Sequence, residues 1–242
     1  MNIKFLGTSF GAPSVGRHQQ SILVETGEKA YLVDTGAPVL DILVNDNYDI
    51  TKIKAVFITH LHGDHMNGLF DILNLVDFYK MNLEVYLPEQ RGIDLFQIYC
   101  DTQGIGNQNG RISFHLIHSG GFYDDGDLRI KAINTDHMEF SKKPSYGFFL
   151  EDNGSKVYIT GDLHYTLKDF PELLFNEAVD LIVTECAHFT SEYLFEKLKK
   201  CNSKAVAIIH VMPVEKYDDL KKCAQKANFE VVLPNDNDEF NI

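Results

Sequence analysis

Four side chains that can bind a metal ion lie within six consecutive residues, directly after an apolar run. They are His60, His62, Asp64 and His65. Neutral imidazole and carboxylate groups are ligands that suit zinc, manganese or iron. No cysteine accompanies them, which argues against a structural thiolate site. The cluster therefore predicts a metal centre that performs chemistry.

The spacing of these side chains predicts two neighbouring ions. His60 and His62 are two positions apart, so in an extended segment they point to the same side. Gly63 permits the chain to turn after them, so that Asp64 and His65 can face a second ion. The alternative is a solvated loop whose aspartate caps the following helix. The position of the cluster directly after an apolar strand favours metal binding over that alternative.

Polar side chains also end apolar, strand-like runs elsewhere in the chain. Ligands of α/β proteins bind at the carboxyl ends of strands, so side chains at these positions are expected to gather at one edge. The residues that end or follow such runs are Asp34 (after YLV), His60 (after AVFIT), His137 (after KAINTD), Asp162 (after VYITG), Glu185 (after LIVT) and His210 (after AVAII).

The elements that must position these residues are mostly short β-strands, rich in Val, Ile, Leu, Phe or Tyr and bounded by Gly, Asp, Asn or Pro. The predicted strands are 2–6, 21–25, 30–34, 55–59, 83–87, 113–117, 128–134, 146–151, 156–160, 181–184, 205–210 and 230–233. Helical patterns cover 68–80, 191–200 and 214–227. The pattern predicts two β-rich layers with helices outside, in one α/β domain over residues 1–242 with two similar halves.

The segment HLHGDH resembles the signature of the metallo-β-lactamase superfamily, whose fold is a four-layer αββα sandwich. The resemblance extends over nearly the whole chain. Asp34 in YLVDTG resembles the early aspartate that supports the histidine loop. His137 in NTDHMEF, Asp162 in YITGDLH and His210 in AIIHVMP resemble the remaining metal ligands of that family.

The resemblance implies a centre of two divalent ions, with Zn²⁺ expected and Mn²⁺ or Fe²⁺ as alternatives. The first ion would take His60, His62 and His137, the second would take Asp64, His65 and His210, and Asp162 would bridge them. Two such ions can hold a hydroxide that attacks the substrate. Asp64 is also predicted as a catalytic residue that accepts a proton from the attacking water.

Two further segments resemble the ribonuclease Z and small phosphodiesterase branch of that superfamily. They are GTSFGAPSVGRHQQS near the start and HMEFSKKPSYGFFLE, in which Met138 replaces the serine of the family pattern. The segment Glu185-Cys186-Ala187-His188 resembles the one that supplies a catalytic histidine in the phosphodiesterase of phosphonate breakdown, and also the Glu-Ala-Thr segment of ribonuclease Z. His188 is therefore predicted to be a general acid. The alternative is an exposed loop histidine.

Ribonuclease Z carries a tRNA-binding arm between its third histidine and its bridging aspartate. Here His137 and Asp162 are only 25 positions apart (162 − 137), and a predicted strand pair occupies the interval. We therefore predict a small or cyclic phosphodiester as substrate. The alternatives are a lactonase or thioesterase, a ribonuclease Z-like RNA endonuclease, a di-iron oxidoreductase and a non-enzymatic ligand-sensing module.

The composition agrees with a small-molecule enzyme. The formal net charge of −13 argues against an extended nucleic-acid surface, because such binding depends on Lys and Arg. Four scattered cysteines without a C-x-x-C pair, no secretory signal and no apolar run of membrane-spanning length predict a cytoplasmic protein. A homodimer is the commonest assembly, but the sequence does not decide it. Four more histidines lie elsewhere in the chain. His115 and His118 are interpreted as structural, and His18 and His164 are left open between a site and a surface role.

Overall fold

The computed structural model describes residues 1–105 and 110–242, and most of their strands are the predicted ones. The strands of the described residues are β1 (Asn2–Gly7), β2 (Ser21–Thr26), β3 (Lys29–Thr35), β4 (Ile53–Phe57), β5 (Leu83–Leu87), β6 (Ile112–Leu116), β7 (Gly120–Asp124), β8 (Arg129–Thr135), β9 (Ser145–Asp152), β10 (Ser155–Ile159), β11 (Ala178–Cys186), β12 (Asn202–Val211), β13 (Glu230–Val232) and β14 (Glu239–Asn241).

The helices lie between these strands. They are α1 (Val39–Asn45), α2 (Gly63–Met66), α3 (Leu69–Phe78), α4 (Gln90–Gln103), α5 (Ser191–Leu198) and α6 (Lys216–Ala224), with 3₁₀ turns at Ile50–Lys52, Glu139–Ser141 and Glu172–Phe175. In the part of the chain that the structure describes, no helix is long and apolar enough to cross a membrane.

The strands form two seven-stranded sheets of matching design. The first has the order β14-β1-β2-β3-β4-β5-β6, and the second has the order β13-β12-β11-β10-β9-β8-β7. In each sheet an antiparallel part passes into a parallel part, at β3–β4 in the first and at β10–β11 in the second. The predicted two similar halves are therefore present.

The alternation of side chains along the strands explains the layering. In β3, Tyr31 and Val33 point to the centre of the sandwich, whereas Leu32 points to the outside. Both faces of each sheet are buried because helices cover the outer ones, with α1, α3 and α4 on the first sheet and α5 and α6 on the second. The fold is the predicted four-layer αββα sandwich.

Aromatic side chains join the two sheets at the centre. The ring of Phe57 in the first sheet lies 4.9 Å from that of Tyr123 and 6.4 Å from that of Phe148 in the second. Aromatic pairs at such distances contribute about 0.5–1.5 kcal/mol beyond the area they bury. Because this core takes side chains from both sheets, we propose that residues 1–242 form one domain.

Asp125 lies in the turn between β7 and β8, at one end of the sandwich, and links the two sheets there. Its Oδ2 accepts hydrogen bonds from Lys29 Nζ (2.9 Å) and Tyr31 Oη (2.7 Å) of β3, and its Oδ1 accepts one from Leu128 N (2.9 Å). Burial raises the pKa of this carboxyl, but the hydrogen bonds from Leu128, Tyr31 and Lys29 outweigh it and hold the pKa at about 2. The ionised form is therefore the one that stabilises the fold.

Replacing Asp125 by Asn should lower the free energy of unfolding at pH 7 by about 1–2 kcal/mol, the range for hydrogen bonds to a partly exposed charged group. The pKa is depressed in the folded state. The contribution is therefore complete above the ordinary value of 3.8 and is lost as the pH falls through about 2. Urea unfolding at pH 7 and at about pH 3 measures this. Asp124→Asn in the same turn, at a more exposed carboxylate, is the control. Equal destabilisation by both variants would contradict the assignment.

Candidate metal centre

The predicted metal-binding residues converge at one end of the sandwich, and both sheets contribute. His60, His62, Asp64 and His65 follow β4 of the first sheet, whereas His137, Asp162 and His210 come from the ends of β8, β10 and β12 of the second. The side chains form two groups, in each of which the ligand atoms lie within 4.8 Å of one another. The groups are His60, His62, His137 and Asp162, and Asp64, His65 and His210.

The first group brings three imidazole nitrogens together. His62 Nδ1 lies 3.0 Å from His60 Nε2 and 3.2 Å from His137 Nε2. Nitrogens placed tetrahedrally around a zinc ion at about 2.0 Å would be separated by about 3.3 Å. The spacing of the three nitrogens therefore fits a common cation.

The second group is arranged around the carboxylate of Asp64. Asp64 Oδ2 lies 3.2 Å from His210 Nε2 and 3.5 Å from His65 Nε2. The sequence predicts a turn at Gly63, directly before Asp64 and His65. The structure instead places them in the short helix α2, which begins at Gly63.

Asp162 lies between the two groups and offers one oxygen to each. Its Oδ2 lies 3.5 Å from His137 Nε2 and 3.8 Å from His60 Nε2. Its Oδ1 lies 3.5 Å from His65 Nε2 and 3.7 Å from His210 Nε2. This is the arrangement that a carboxylate bridging two ions requires.

The protonation states of the first group and of Asp162 suit cation binding. Burial lowers the pKa of His60, His62 and His137, so these rings are neutral and can offer a lone pair. Burial would raise the pKa of Asp162, but the charges of His210 and His65 outweigh it and lower the pKa. The Asp162 carboxylate is therefore ionised.

Among the buried atoms of the described residues that lack a hydrogen-bond partner, two face each other at the centre. They are His65 Nε2 and Asp162 Oδ1, which face each other at 3.5 Å. A buried polar atom without a partner costs about 1–3 kcal/mol. A divalent cation held by the second group would give both atoms a partner, so the donor set fits the ions that the sequence predicts.

Asp34 holds the histidine loop, as the family resemblance implies. It is fully buried and ends β3 with a left-handed backbone (φ 58°). Its Oδ1 accepts a hydrogen bond from Thr59 N (2.8 Å), and its Oδ2 accepts one from His65 Nδ1 (2.7 Å). The bond to Nδ1 leaves Nε2 of His65 directed at the centre.

A glycine next to Asp162 is required by close packing. Gly161 has a left-handed backbone (φ 58°), and a Cβ there would lie 2.8 Å from Tyr146 O and 3.1 Å from Thr59 side-chain carbons. The loop that carries Asp162 can therefore pass directly against the strand that leads to the histidine cluster.

His188 lies beside the first group and is held by Glu185. Its ring centroid is 4.7 Å from that of His137, and its Nδ1 is 2.8 Å from both carboxylate oxygens of Glu185. Burial lowers the pKa of His188, but the hydrogen bond and charge of Glu185, with the charge of Asp162, raise it to about 9. The ring is anchored and only 32% exposed, which disfavours the alternative of an exposed loop histidine.

Glu185 was noted in the sequence as the end of a strand, but its role was not predicted. It is buried beneath the loop and accepts hydrogen bonds from Leu163 N (2.7 Å), Ala187 N (2.9 Å) and His188 N (3.2 Å). Although it lies close to Asp162 and His188, its oxygens are engaged by the chain itself. We therefore assign Glu185 to holding the loop.

The remaining histidines lie outside the two groups. His164 Nδ1 lies 2.7 Å from Thr166 Oγ1, and its Nε2 lies 3.2 Å from Glu139. His18 pairs with Asp236 at 2.8 Å, which joins the N-terminal loop to the C-terminal segment. His115 stacks on Tyr86 with ring centroids 4.6 Å apart, in keeping with a structural role.

An αββα sandwich with paired histidine–aspartate groups at this end is the arrangement of metal-dependent hydrolases of the metallo-β-lactamase superfamily. The chain belongs to that superfamily by its fold, and it is similar in sequence to proteins named ribonuclease Z. Within that superfamily, the chain belongs to the family described as Anti-Pycsar protein Apyc1, which it matches over residues 1–233.

Among curated relatives, ribonuclease Z from Synechocystis sp. is 30% identical over 157 residues, which cover 63% of this chain and 46% of that protein. The chain spans about half the length of the curated relatives it matches.

Among solved structures, the metallo-β-lactamase fold protein YhfI from Bacillus subtilis has a TM-score of 0.82 at 20% identity and covers 99% of both chains. A diphosphatase from the PhnP family has a TM-score of 0.72 at 16% identity and covers 100% of this chain and 97% of that one. These likenesses show the fold.

Proposed function

We propose that this chain hydrolyses a small or cyclic phosphodiester with two divalent ions bound at the centre. The observation that carries the proposal is the position of His188, whose ring lies 4.7 Å from His137 and 6.1 Å from His210. A proton donor thus lies on the rim shared by both groups, where a leaving oxygen would depart. Hydrolysis of a phosphodiester needs such a donor when the leaving group is poor.

The side chains that would hold the ions follow from the geometry. His60, His62 and His137 would hold the first, Asp64, His65 and His210 the second, and Asp162 would lie between them. Imidazole and carboxylate ligands favour zinc, with manganese or iron as alternatives. When bound, the ions lower the pKa of a water molecule and neutralise charge on the phosphate.

Asp64 and His188 would handle the protons on opposite sides of the reaction. The attacking water forms a bond to phosphorus and transfers a proton to Asp64, which lies at the mouth of the second group. The bond from phosphorus to the leaving oxygen breaks, and that oxygen takes a proton from His188 Nε2. Nε2 is the free nitrogen, because Nδ1 is engaged by Glu185.

The chain around the site supports a compact substrate. The interval between His137 and Asp162 is filled by the hairpin β9–β10 together with one 3₁₀ turn, so the arm that ribonuclease Z carries there is absent from this part of the described chain. The net charge of −13 also opposes binding of a long polyanion. An RNA endonuclease is the second candidate, because the curated relatives are named ribonuclease Z.

A substrate panel on protein loaded with Zn²⁺ or Mn²⁺ tests this proposal. We expect bis(p-nitrophenyl) phosphate and a cyclic nucleotide to be hydrolysed, chelation to stop the reaction, and a lactone and a precursor tRNA to remain intact. Hydrolysis of the lactone without any phosphodiester would overturn the proposal in favour of an acyl hydrolase. A preference for the precursor tRNA would favour the endonuclease.

A further inference from the structure

The loop that carries His188 is bound by a single ammonium group from another part of the chain. Lys216 Nζ donates hydrogen bonds to the backbone oxygens of Cys186 (2.8 Å), Ala187 (3.2 Å) and Phe189 (2.8 Å). An ammonium has three protons to donate, so all three are used by this one loop. An exposed lysine on a helix would ordinarily leave them to water.

The N–H groups and the carbonyl groups of this loop are bound by side chains of opposite charge. The Glu185 carboxylate accepts hydrogen bonds from the N–H groups of Ala187 and His188, while Lys216 donates hydrogen bonds to the carbonyl groups of Ala187 and Phe189, on either side of His188. Hydrogen bonds to charged groups contribute more to stability than hydrogen bonds between neutral groups. The backbone of His188 is therefore fixed from both sides.

Lys216 also ties this loop to the second histidine group. It is the first residue of α6 and follows His210 by six positions (216 − 210). The segment that places His210 at the centre thus ends in the side chain that holds the His188 loop. A shift of one is expected to displace the other.

We infer that Lys216 is a positioning residue that aims His188 at the leaving oxygen. The inference rests on the proposed function, in which His188 donates a proton. Among the described residues, the hydrogen bonds of Lys216 Nζ go only to backbone oxygens of this loop, so Lys216 would act through His188. Replacement of Lys216 should therefore lower kcat for substrates whose leaving group needs a proton, and should change kcat little for the others.

The test compares Lys216→Met, which keeps the apolar stem, with Lys216→Arg, which keeps a charged donor. The matched control is Lys222→Met in the same helix, whose ammonium pairs with the exposed Asp219. Each variant is assayed on two phosphodiesters that differ only in the leaving group, p-nitrophenolate or an alkoxide. Metal content, thermal unfolding and hydrogen exchange at residues 185–189 of the metal-free protein are measured alongside.

Lys216→Met should lower kcat for the alkoxide diester by about 10- to 10²-fold, within the range of general acid catalysis. It should change the p-nitrophenyl diester less than about threefold, with KM and metal content retained. Hydrogen exchange should rise only at residues 185–189. Lys216→Arg should recover most of the activity, and Lys222→Met should behave as the unaltered protein. In a His188→Ala background, Lys216→Met should have no further effect.

Equal losses on both diesters, or an undiminished loss in the His188→Ala background, would overturn the inference. So would unchanged hydrogen exchange at residues 185–189. If Lys216→Met fails to fold, the ratio of kcat for the two diesters is measured on Lys216→Gln, with Lys216→Arg as the conservative comparison, and decides the inference in the same way. If the unaltered protein hydrolyses no phosphodiester, the proposed function fails, while the exchange measurement still decides whether Lys216 holds the loop.

Discussion

Replacing His65 by alanine should abolish hydrolysis and empty the second group of its ion while the fold is retained. His65 is fully buried, its Nδ1 is fixed by Asp34 and its Nε2 faces Asp162. Loss of even an outer partner of a metal ligand costs about 10- to 100-fold in affinity or activity, so loss of the ligand itself should exceed about 10²-fold. The fold should survive because Asp34 keeps its bonds to Thr59 and Gln20.

Elemental analysis of the purified variant, with circular dichroism and a rate on bis(p-nitrophenyl) phosphate, measures the effect of His65→Ala. His118→Ala is the matched control, since it removes an exposed imidazole outside both groups. If the His65 variant bound a full complement of ions and kept its activity, the assignment of the second group would be wrong. An unfolded variant would show that Asp34 cannot keep its position without the imidazole.

His188→Ala should also lose turnover, but unlike His65→Ala it should retain the ions. General acid catalysis contributes about 10²–10⁴-fold, and we expect a loss of that size for a diester with an alkoxide leaving group. A diester of p-nitrophenol should be affected far less, because its leaving oxygen needs no proton. Addition of free imidazole should restore part of the lost rate.

Metal content decides between two roles of His188. Asp162, Glu185 and His188 lie close enough to hold an ion by themselves. If His188→Ala lost metal in parallel with activity, the histidine would be a ligand rather than a proton donor. Retention of metal with a leaving-group-dependent loss would support the donor role, and Lys216→Met should then show a smaller version of the same loss.

The layered fold was predicted because its strands carry strong local signals, whereas several elements lack them. Strand β7 begins with two glycines, Gly120 and Gly121, which weaken the pattern that identifies a strand. Helices α1 and α4 were not predicted. The spacing of Ile93, Phe96 and Cys100 in α4 is a helical signal, but the exposed Leu95 and Ile98 between them obscure the periodicity.

The side chains of the candidate site were predicted from the sequence, but their geometry and the residues that hold the loop were not. Residue type and order, together with the resemblance to the metallo-β-lactamase superfamily, selected the histidines and aspartates that the structure brings together, and their roles as ligands remain predictions. The paired oxygens of Asp162 depend on how two sheets meet, which no local pattern contains. The roles of Glu185 and Lys216 depend on loop backbone, so residue types alone could not reveal them.

The supply of ligands from both sheets couples cation uptake to the assembly of the whole molecule. His60, His62, Asp64 and His65 belong to one half, and His137, Asp162 and His210 belong to the other. Neither half alone offers a complete set of donors. A ligand that binds only the native state adds about 2.7 kcal/mol when its free concentration is 100 times Kd. Bound divalent ions would thus stabilise the correctly packed halves. Removal of the ions would lower the stability of the entire sandwich and not only of the end that holds the candidate site.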